Sequence, residues 1–555
     1  MRSTRTLIAA LACAVMVTAC EEDGPTAITL NVPAGVSGTA TANSVTLTFG
    51  TVAGATGYIV QRAPAVGDFA SVGTPTTSPF TDNGLAASTI YRYRVAATAG
   101  TDQSAFSDAI AVSTSAAGPK VRTIEADITS NRTFFADTVY TIKGFIKVAN
   151  GATLTIQPGT VIQGDFATTG SSLFILRGAK IDAQGTAAAP IVFTSSRPVG
   201  QRQAGDWGGL IIVGNGIINR SAPVILEGTG TGTTNPPVDY SGGVNNADNS
   251  GTLRYMRIEF AGFATAADAE LNTLTLAAVG SGTTIEYVQA LNGLDDSFEW
   301  FGGAVDAKHL VSYEAGDDHF DMSEGYMGRL QNLIGFQSRQ IIPRPAAGNT
   351  SSDPQGIEND GCNGANCTSG QNSTPFTIPL VANFTLVGPP TGVFAAGSGG
   401  VGMMLRRGTG GFYVNGVVAR WERAAISLRD QPTLDRITAG DLQVKNIYLS
   451  GNGTVFQPAA GTTVQGTLDQ TVNAIETGAA APTALFLALP LSPTAASQLD
   501  WQPAAASPIA TGGMAAFTGT LAAKAGTFVT GTAYRGAANP AGPKWWAGWT
   551  NLAGS

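Results

Sequence analysis

Apolar and polar residues alternate in short runs along most of this 555-residue chain. "SVTLTF" (44–49), "TGYIVQRA" (56–63), "IYRYRVAAT" (90–98) and "AIAVST" (109–114) have the two-residue period of half-buried strands. Turn residues separate them at the spacing of a small β-sandwich. From about residue 121 the texture changes. "GATLTIQPGTVIQGD" (151–165) is followed by "SSLFILRGAKIDAQG" (171–185), and Leu154, Ile156, Gly159 and Ile162 align with Leu173, Ile175, Gly178 and Ile181, each 19 residues on. A strand and a glycine turn repeated at fixed interval predict coils that stack, because one coil cannot bury its apolar face alone. "LQNLIGF" (330–336), "VANFTLVG" (381–388), "FYVNGVVA" (412–419) and "VKNIYLS" (444–450) set an Asn at the start of an apolar run. Asn383, Asn415 and Asn446 stand 32 and 31 residues apart, which predicts corner side chains hydrogen-bonding along a stack. No long segment has a 3.6-residue period. The chain reads as all-β, a sandwich followed by a solenoid.

Particular motifs refine this picture. "LAASTIYRYRVAA", with Leu85, Thr89, Tyr91, Tyr93 and Val95, resembles the tyrosine corner of fibronectin type III domains, with Tyr91 at the corner and Phe49 in place of the usual Trp. Such a module is usually a spacer or a binding accessory. The coils over about 121–475 resemble the right-handed parallel β-helices of the pectate-lyase-like superfamily. "GDWGGLIIVGNG" (205–216), "LRYMRIEFAG" (253–262) and the terminal "YRGA" and "WWAGWT" resemble large bacterial surface β-helix proteins, a resemblance that brings no established activity with it. The expected division is a signal peptide at 1–19, an acidic tether at 20–25, a fibronectin type III-like domain at 26–116, a β-helix at 121–478 and a C-terminal cap at 479–555. Insertions at 228–251 and from Pro343 to about Thr377 project from the coils as a candidate binding rim. Trp545, Trp546 and Trp549 are expected in a cap over the last coil, with an aromatic sugar platform as the alternative. Tyr313 and Tyr326 have the same two readings, core or sugar stacking.

The ends and the composition bound location and partners. Arg2 and Arg5 precede an apolar stretch, Leu7 to Val17, that is too short for a stable membrane anchor. Val17-Thr18-Ala19-Cys20 resembles a bacterial lipobox, which implies lipidation of Cys20 and an exported chain held at the outer membrane or cell surface by lipid alone, with ordinary signal cleavage beside a chance Cys as the alternative. Cys362 and Cys367, in "CNGANC", predict a disulfide closing a small loop, as export permits. Only 13% of residues are charged and the net charge is −8, so a nucleic-acid-binding face is not expected. No HExxH, GxSxG or P-loop pattern occurs.

One pattern carries chemistry. "GLDDSFEWFGG" (293–303) recurs 22 residues on as "AGDDHFDMSEG" (315–325). Read as stacked strands, one face holds Asp296, Phe298 and Trp300 over Asp318, Phe320 and Met322. The other holds Asp295, Ser297 and Glu299 over Asp317, His319 and Asp321, and is expected to face solvent. Asp296 and Asp318 suit acceptance of backbone N–H groups at a turn. Asp295, Glu299, Asp317 and Asp321 form a carboxylate patch whose mutual repulsion a Ca²⁺ ion would offset, with a merely solvated acidic face as the alternative. Glu358 and Asp360, in "GIENDG", suggest a second cation loop. The expected function is binding of an extended ligand, a polysaccharide or a surface partner. The rival is a Ca²⁺-dependent polysaccharide lyase, as the superfamily resemblance implies, or a two-carboxylate glycoside hydrolase. Arg406 and Arg407 are the candidate bases, ahead of His319.

Overall fold

The computed structural model describes residues 29–267, 269–394 and 399–552, and the chain divides into two compact units between Pro119 and Lys120. The signal segment, the acidic tether and Cys20 lie outside the described residues. No described helix is long and apolar enough to cross a membrane.

The N-terminal unit is a sandwich of two antiparallel sheets. Ser37–Ala40, Ser44–Thr48 and Phe80–Asn83 form one; Gly57–Pro64, Ala70–Gly73, Ile90–Ala99, Asp102–Gln103 and Ile110–Ser113 form the other. Alternation puts Val45, Leu47, Tyr58, Val60, Tyr93 and Val95 into the shared core. The Tyr91 hydroxyl accepts the Ala86 N–H at 3.1 Å, the back-bond of a tyrosine corner. Phe49 packs on Tyr58 with ring centroids 4.8 Å apart. This is a fibronectin type III-like arrangement.

The second unit is a parallel β-helix. A 17-stranded sheet and a 9-stranded sheet wrap one apolar core. The 22-residue acidic repeat is one full coil on the next: Phe298 pairs with Phe320 and Trp300 with Met322, in parallel register. The 19-residue repeat is not a coil. Leu154 pairs with Ile181 and Leu173 with Leu210, so Leu154 and Leu173 sit on different sheets of the solenoid, and the aligned Ile162 and Ile181 are not register partners. Alternation marks any buried strand, whichever face it lies on, and so it misplaced the period. The expected insertion at 343–377 is also interrupted, because Gln355–Asp360 is a strand of the 9-stranded sheet.

Within the large sheet the chain turns a corner at Tyr255, Tyr287, His309, Asn332, Asn383, Asn415 and Asn446, all with φ between 46° and 63°. Asn tolerates this left-handed conformation better than most residues, which explains its recurrence. Where the corner residue is aromatic, the rings stack: Tyr255 on Tyr287 and Tyr287 on His309, each with centroids 4.3 Å apart. The corner Asn side chains do not chiefly bond one another. Asn383 Nδ2 donates to Thr532 Oγ1 at 2.7 Å, Asn415 Oδ1 accepts the Met514 N–H at 2.6 Å, and Asn446 Nδ2 donates to the Gly512 carbonyl at 2.9 Å.

Those partners belong to the C-terminal region, which covers the solenoid along its side rather than over its last coil. Trp501, Trp546, Trp549 and Leu552 pack against Leu291, Tyr313, Phe336, Val387 and Tyr448, residues of successive coils. Gln289 Oε1 accepts the Asn551 N–H at 2.7 Å. Trp546 and Trp549 are buried, as are Tyr313 and Tyr326, so none of the four offers a sugar platform.

Candidate functional site

The 9-stranded sheet carries the acidic repeat. Strands Phe298–Phe301, Phe320–Ser323, Gln355–Asp360 and Val401–Arg406 stack in parallel. Phe298, Phe320, Ile357 and Met403 point into the core, and so do Trp300, Met322, Asn359 and Leu405. The intervening position therefore points outward and holds Glu299, Asp321 and Glu358 in register. Neighbouring strands lie about 4.8 Å apart, so three carboxylates form a column at that spacing.

The segments that lead into these strands extend the column. Asp318 donates its N–H to Asp296 Oδ1 at 2.8 Å, and Asp318 Oδ1 accepts the Gln355 N–H at 2.5 Å. These two carboxylates knit successive coils together. Asp295 and Asp317 lie beside them and line a cavity of about 790 Å³ with Glu227, Glu270, Asn349 and Ser351. A second cavity, about 190 Å³, is lined by Glu299, Asp321, Glu358, Asp360 and Arg407.

Carboxylate oxygens approach within 4.8 Å of one another in three overlapping groups: Asp295, Asp296 and Asp317; Asp296, Glu299 and Asp321; Asp318, Asp321 and Glu358. Asp317 and Asp321 stay partly exposed, yet each has an Oδ1 that is buried and accepts no hydrogen bond. Asn272 donates Nδ2 to Glu299 and is itself 1% exposed, with its Oδ1 buried and unpartnered. Burial, reinforced by the neighbouring carboxylates, pushes Asp295, Asp296, Glu299 and Asp318 well above the ordinary carboxylate range. Burial does the same for Asp321 and Glu358, with Asp360 adding to the shift in both. Asp317 and Glu227 are raised to about 7, chiefly by desolvation within the cluster, although Asp317 keeps partial exposure and Glu227 is exposed. Hard oxygen donors at this density suit Ca²⁺, which takes six to eight oxygens in flexible geometry.

Several expectations change here. The outward face is not open to solvent: Glu299 is 4% exposed, and Ser297 and His319 are buried. The chain bends between Asp295 and Phe298, so strict strand alternation fails there. Ser312 Oγ donates to Ser297 Oγ at 2.6 Å and meets His319 Nδ1 at 2.6 Å. Burial lowers His319 to about 3, which keeps it a neutral core residue and unfit as an accessible base. Glu358 and Asp360 are not a second loop. They lie on a strand and continue the same acidic face, Glu358 directly over Asp321.

Arg406 and Arg407 close the far end of this face. Arg406 Nε donates to Asp360 Oδ1 at 2.9 Å and its Nη2 pairs with Glu358, while Arg407 Nη1 pairs with Asp360. Burial works against the Arg406 charge, but Asp360 and Glu358 outweigh it and hold its pKa above the ordinary value. A guanidinium so held is a fixed cation and not a base.

Residues that sequence reading passed over complete the site. Glu227 and Glu270 come from the insertion after Gly209–Val213 and the short hairpin before Leu274–Ala277. Neither stands in a motif, so only the fold brings them to Asp295. The insertions brace each other as well. Cys362 and Cys367 form a disulfide, and the loop it closes accepts Arg220 Nε at the Ala365 carbonyl at 3.0 Å and the Ser221 N–H at the Asn366 carbonyl at 2.9 Å. Arg220 and the Tyr240 hydroxyl both bond Glu324, which sets that carboxylate apart from the open column.

The family described as a pectate-lyase like beta helix domain matches residues 126–486, more than half of the chain. No curated protein matches. Among solved structures, an Fn3-like protein from Clostridium thermocellum is 28% identical, with 15% of this chain and 90% of that chain covered and a TM-score of 0.14. Domains A168–A170 of titin are 27% identical, with 15% of this chain covered and a TM-score of 0.15; the alignment spans 32% of the titin fragment. The fn3 domain of human collagen alpha-1(XX) is 24% identical, with 18% and 97% covered and a TM-score of 0.15.

Proposed function

The chain belongs to the pectate-lyase-like β-helix family, and from that membership and the acidic column we propose that it binds an extended polysaccharide through Ca²⁺ held by Asp295, Glu299, Asp317 and Asp321. The observation that carries this reading is the set of overlapping three-carboxylate groups with buried, unpartnered Asp317 Oδ1 and Asp321 Oδ1. Unoffset, such groups repel. A cation held there would offset the repulsion, and Asp295 and Asp317 line the 790 Å³ cavity, from which sugar hydroxyls or carboxylates could supply further oxygens. The long regular side of a solenoid suits a polymer. In the same proposal the protein is an exported lipoprotein of the outer membrane or cell surface, anchored through Cys20, and the sandwich is a spacer or binding accessory. The anchor reading is supported by Arg2, Arg5 and the apolar run before Cys20.

The test is a Ca²⁺ titration followed by thermal unfolding and by polysaccharide binding. Ca²⁺ is expected to raise the melting temperature of the wild-type protein and to strengthen binding. Asp317→Asn and Asp321→Asn should blunt both effects. An unfolding midpoint indifferent to Ca²⁺ sinks the cation site. Labelling with radioactive palmitate, lost in Cys20→Ser, tests the anchor.

A second reading is glycoside hydrolysis by two carboxyl groups. It is favoured by Asp317 and Glu227, both raised to about 7 beside one open cavity, where one can hold a proton while another carboxyl is ionised. Release of new reducing ends from a polysaccharide panel, abolished in Asp317→Asn, would establish it. The lyase reading loses its base, because both arginines are ion-paired.

A further inference from the structure

The acidic cavity does not end at its carboxylates. It shares Thr350 and Ser351 with a narrow cleft beside Ala315 and Gly316. That cleft shares Gln340 and Ile341 with a pocket of about 210 Å³ lined by Arg202, Asn292 and Arg339. The three openings thus adjoin one another along the segment 337–352, the middle one narrowing to about 10 Å³. That segment is anchored. Ala204, Phe263, Leu294, Ile341 and Ala347 form a small buried cluster, Ala204 bridges to Pro343, and the Arg344 N–H donates to the Ala204 carbonyl at 2.9 Å.

The charge at its far end is opposite. Arg202 Nε donates to the Arg197 carbonyl at 3.2 Å, and Arg339 Nη2 donates to Asn292 Oδ1 at 3.1 Å. Neither guanidinium forms an ion pair among the described residues. Glu314, on which the Arg339 charge acts, already accepts from the Ser338 hydroxyl and from the Ser338 and Arg339 N–H groups. The neighbouring arginines are engaged: Arg197 pairs with Asp206, and Arg344 donates to the Phe166 and Asp206 carbonyls. In a chain of net charge −8, two arginines that form no ion pair among the described residues line one pocket. A guanidinium presents a planar fork of donors that matches a carboxylate or a sulfate.

We propose that Arg202 and Arg339 form an anion subsite for a carboxylate or sulfate group on an extended ligand whose other part reaches the acidic cavity. Only that other part rests on the cation reading above.

The experiment uses the full chain and three polymers with one backbone: dextran, carboxymethyl-dextran and dextran sulfate. Binding is measured with Ca²⁺ and with a chelator. A charged dextran is expected to bind about tenfold or more tightly than neutral dextran, and which one does so identifies the anion. The double variant Arg202→Gln/Arg339→Gln should lose that preference, by about tenfold in affinity, in both media. Arg202→Gln alone, whose one described bond is to a backbone carbonyl, guards against misfolding and should lose part of it. Charged and neutral dextrans binding alike overturns the subsite. So does a double variant that binds charged dextran as the wild type does while the chelator abolishes binding, an outcome that leaves the cation reading standing. Loss in the arginine variants with no effect of the chelator upholds the subsite and overturns the cation reading.

Discussion

Two columns of polar groups run along the same β-helix, and they end differently. At the corner of the large sheet, Asn383, Asn415 and Asn446 meet donors and acceptors from the C-terminal region, residue for residue. On the 9-stranded sheet, Asp295, Glu299, Asp317 and Asp321 meet mainly other carboxylates. Both columns arise because a solenoid copies whatever sits at one position onto the next coil. Copied amides complement a backbone that crosses them. Copied carboxylates repel one another when ionised, so they must hold protons or, under the proposal above, a cation. The amide column is satisfied within the chain, and the carboxylate column is the one the proposal gives a ligand.

The sharpest way to break this contrast is through Trp549. It is 1% exposed and stands edge-on to Tyr255 and Tyr287, with centroids 5.8 and 6.2 Å away. Trp549→Ala is expected to cost about 3–5 kcal/mol in chemical denaturation. The Ca²⁺-induced stabilisation of the folded fraction should stay unchanged, because the cavity lies on the other sheet. A variant that keeps its stability, or loses its Ca²⁺ response, would show that the two columns are not separate in function.

Acidity separates the two columns, because the carboxylates titrate and the amides do not; the buried His319, held neutral, works in the opposite sense below its ordinary pKa of about 6.5. Asp317 is raised to about 7 in the folded protein, chiefly by desolvation within the cluster, whereas an ordinary Asp titrates near 4. The folded state therefore binds more protons than the unfolded state between those values, and stability falls as pH rises through the window. Without Ca²⁺, unfolding midpoints are expected to drop between about pH 6.5 and pH 8, above the range in which His319 opposes the trend. Ca²⁺ should remove the drop by taking the place of the protons. A flat profile in chelator would mean that the carboxylates are neutralised by something already in the chain.

The separation of the paired aspartates was legible in the sequence, because a 22-residue step with matching Phe298 and Phe320 fixes which residues stack. The backbone role of Asp296 and Asp318 followed from their place ahead of the strand. The burial of His319 was not legible, since the bend that turns Ser297 and His319 inward leaves no trace in an alternation pattern. Glu227 and Glu270 were silent for another reason: long insertions have no period, so nothing marks which of their residues return to the coil. The lateral course of the C-terminal region was hidden likewise. Clustered tryptophans signal burial but not which surface they bury.

Within the acidic repeat the two neighbours should respond oppositely, and the smaller effect is the more telling. Asp318→Ala strips the acceptor from the Gln355 N–H, a buried donor, and should cost about 1–3 kcal/mol. Asp317→Asn keeps an acceptor for Ser351, which hydrogen-bonds to Asp317, but deletes one of the crowded charges. At pH 8 in chelator this variant is expected to be more stable than the wild type by about 1 kcal/mol, the equivalent of relieving one pKa unit of repulsion. With Ca²⁺ the order should reverse, since the wild type gains a bound ion and the variant has lost a ligand. A reversal of sign between the two media cannot come from packing, which is the same in both. If Asp317→Asn is destabilising in chelator as well, the carboxylate is doing the work of Asp318, and the column is architecture throughout.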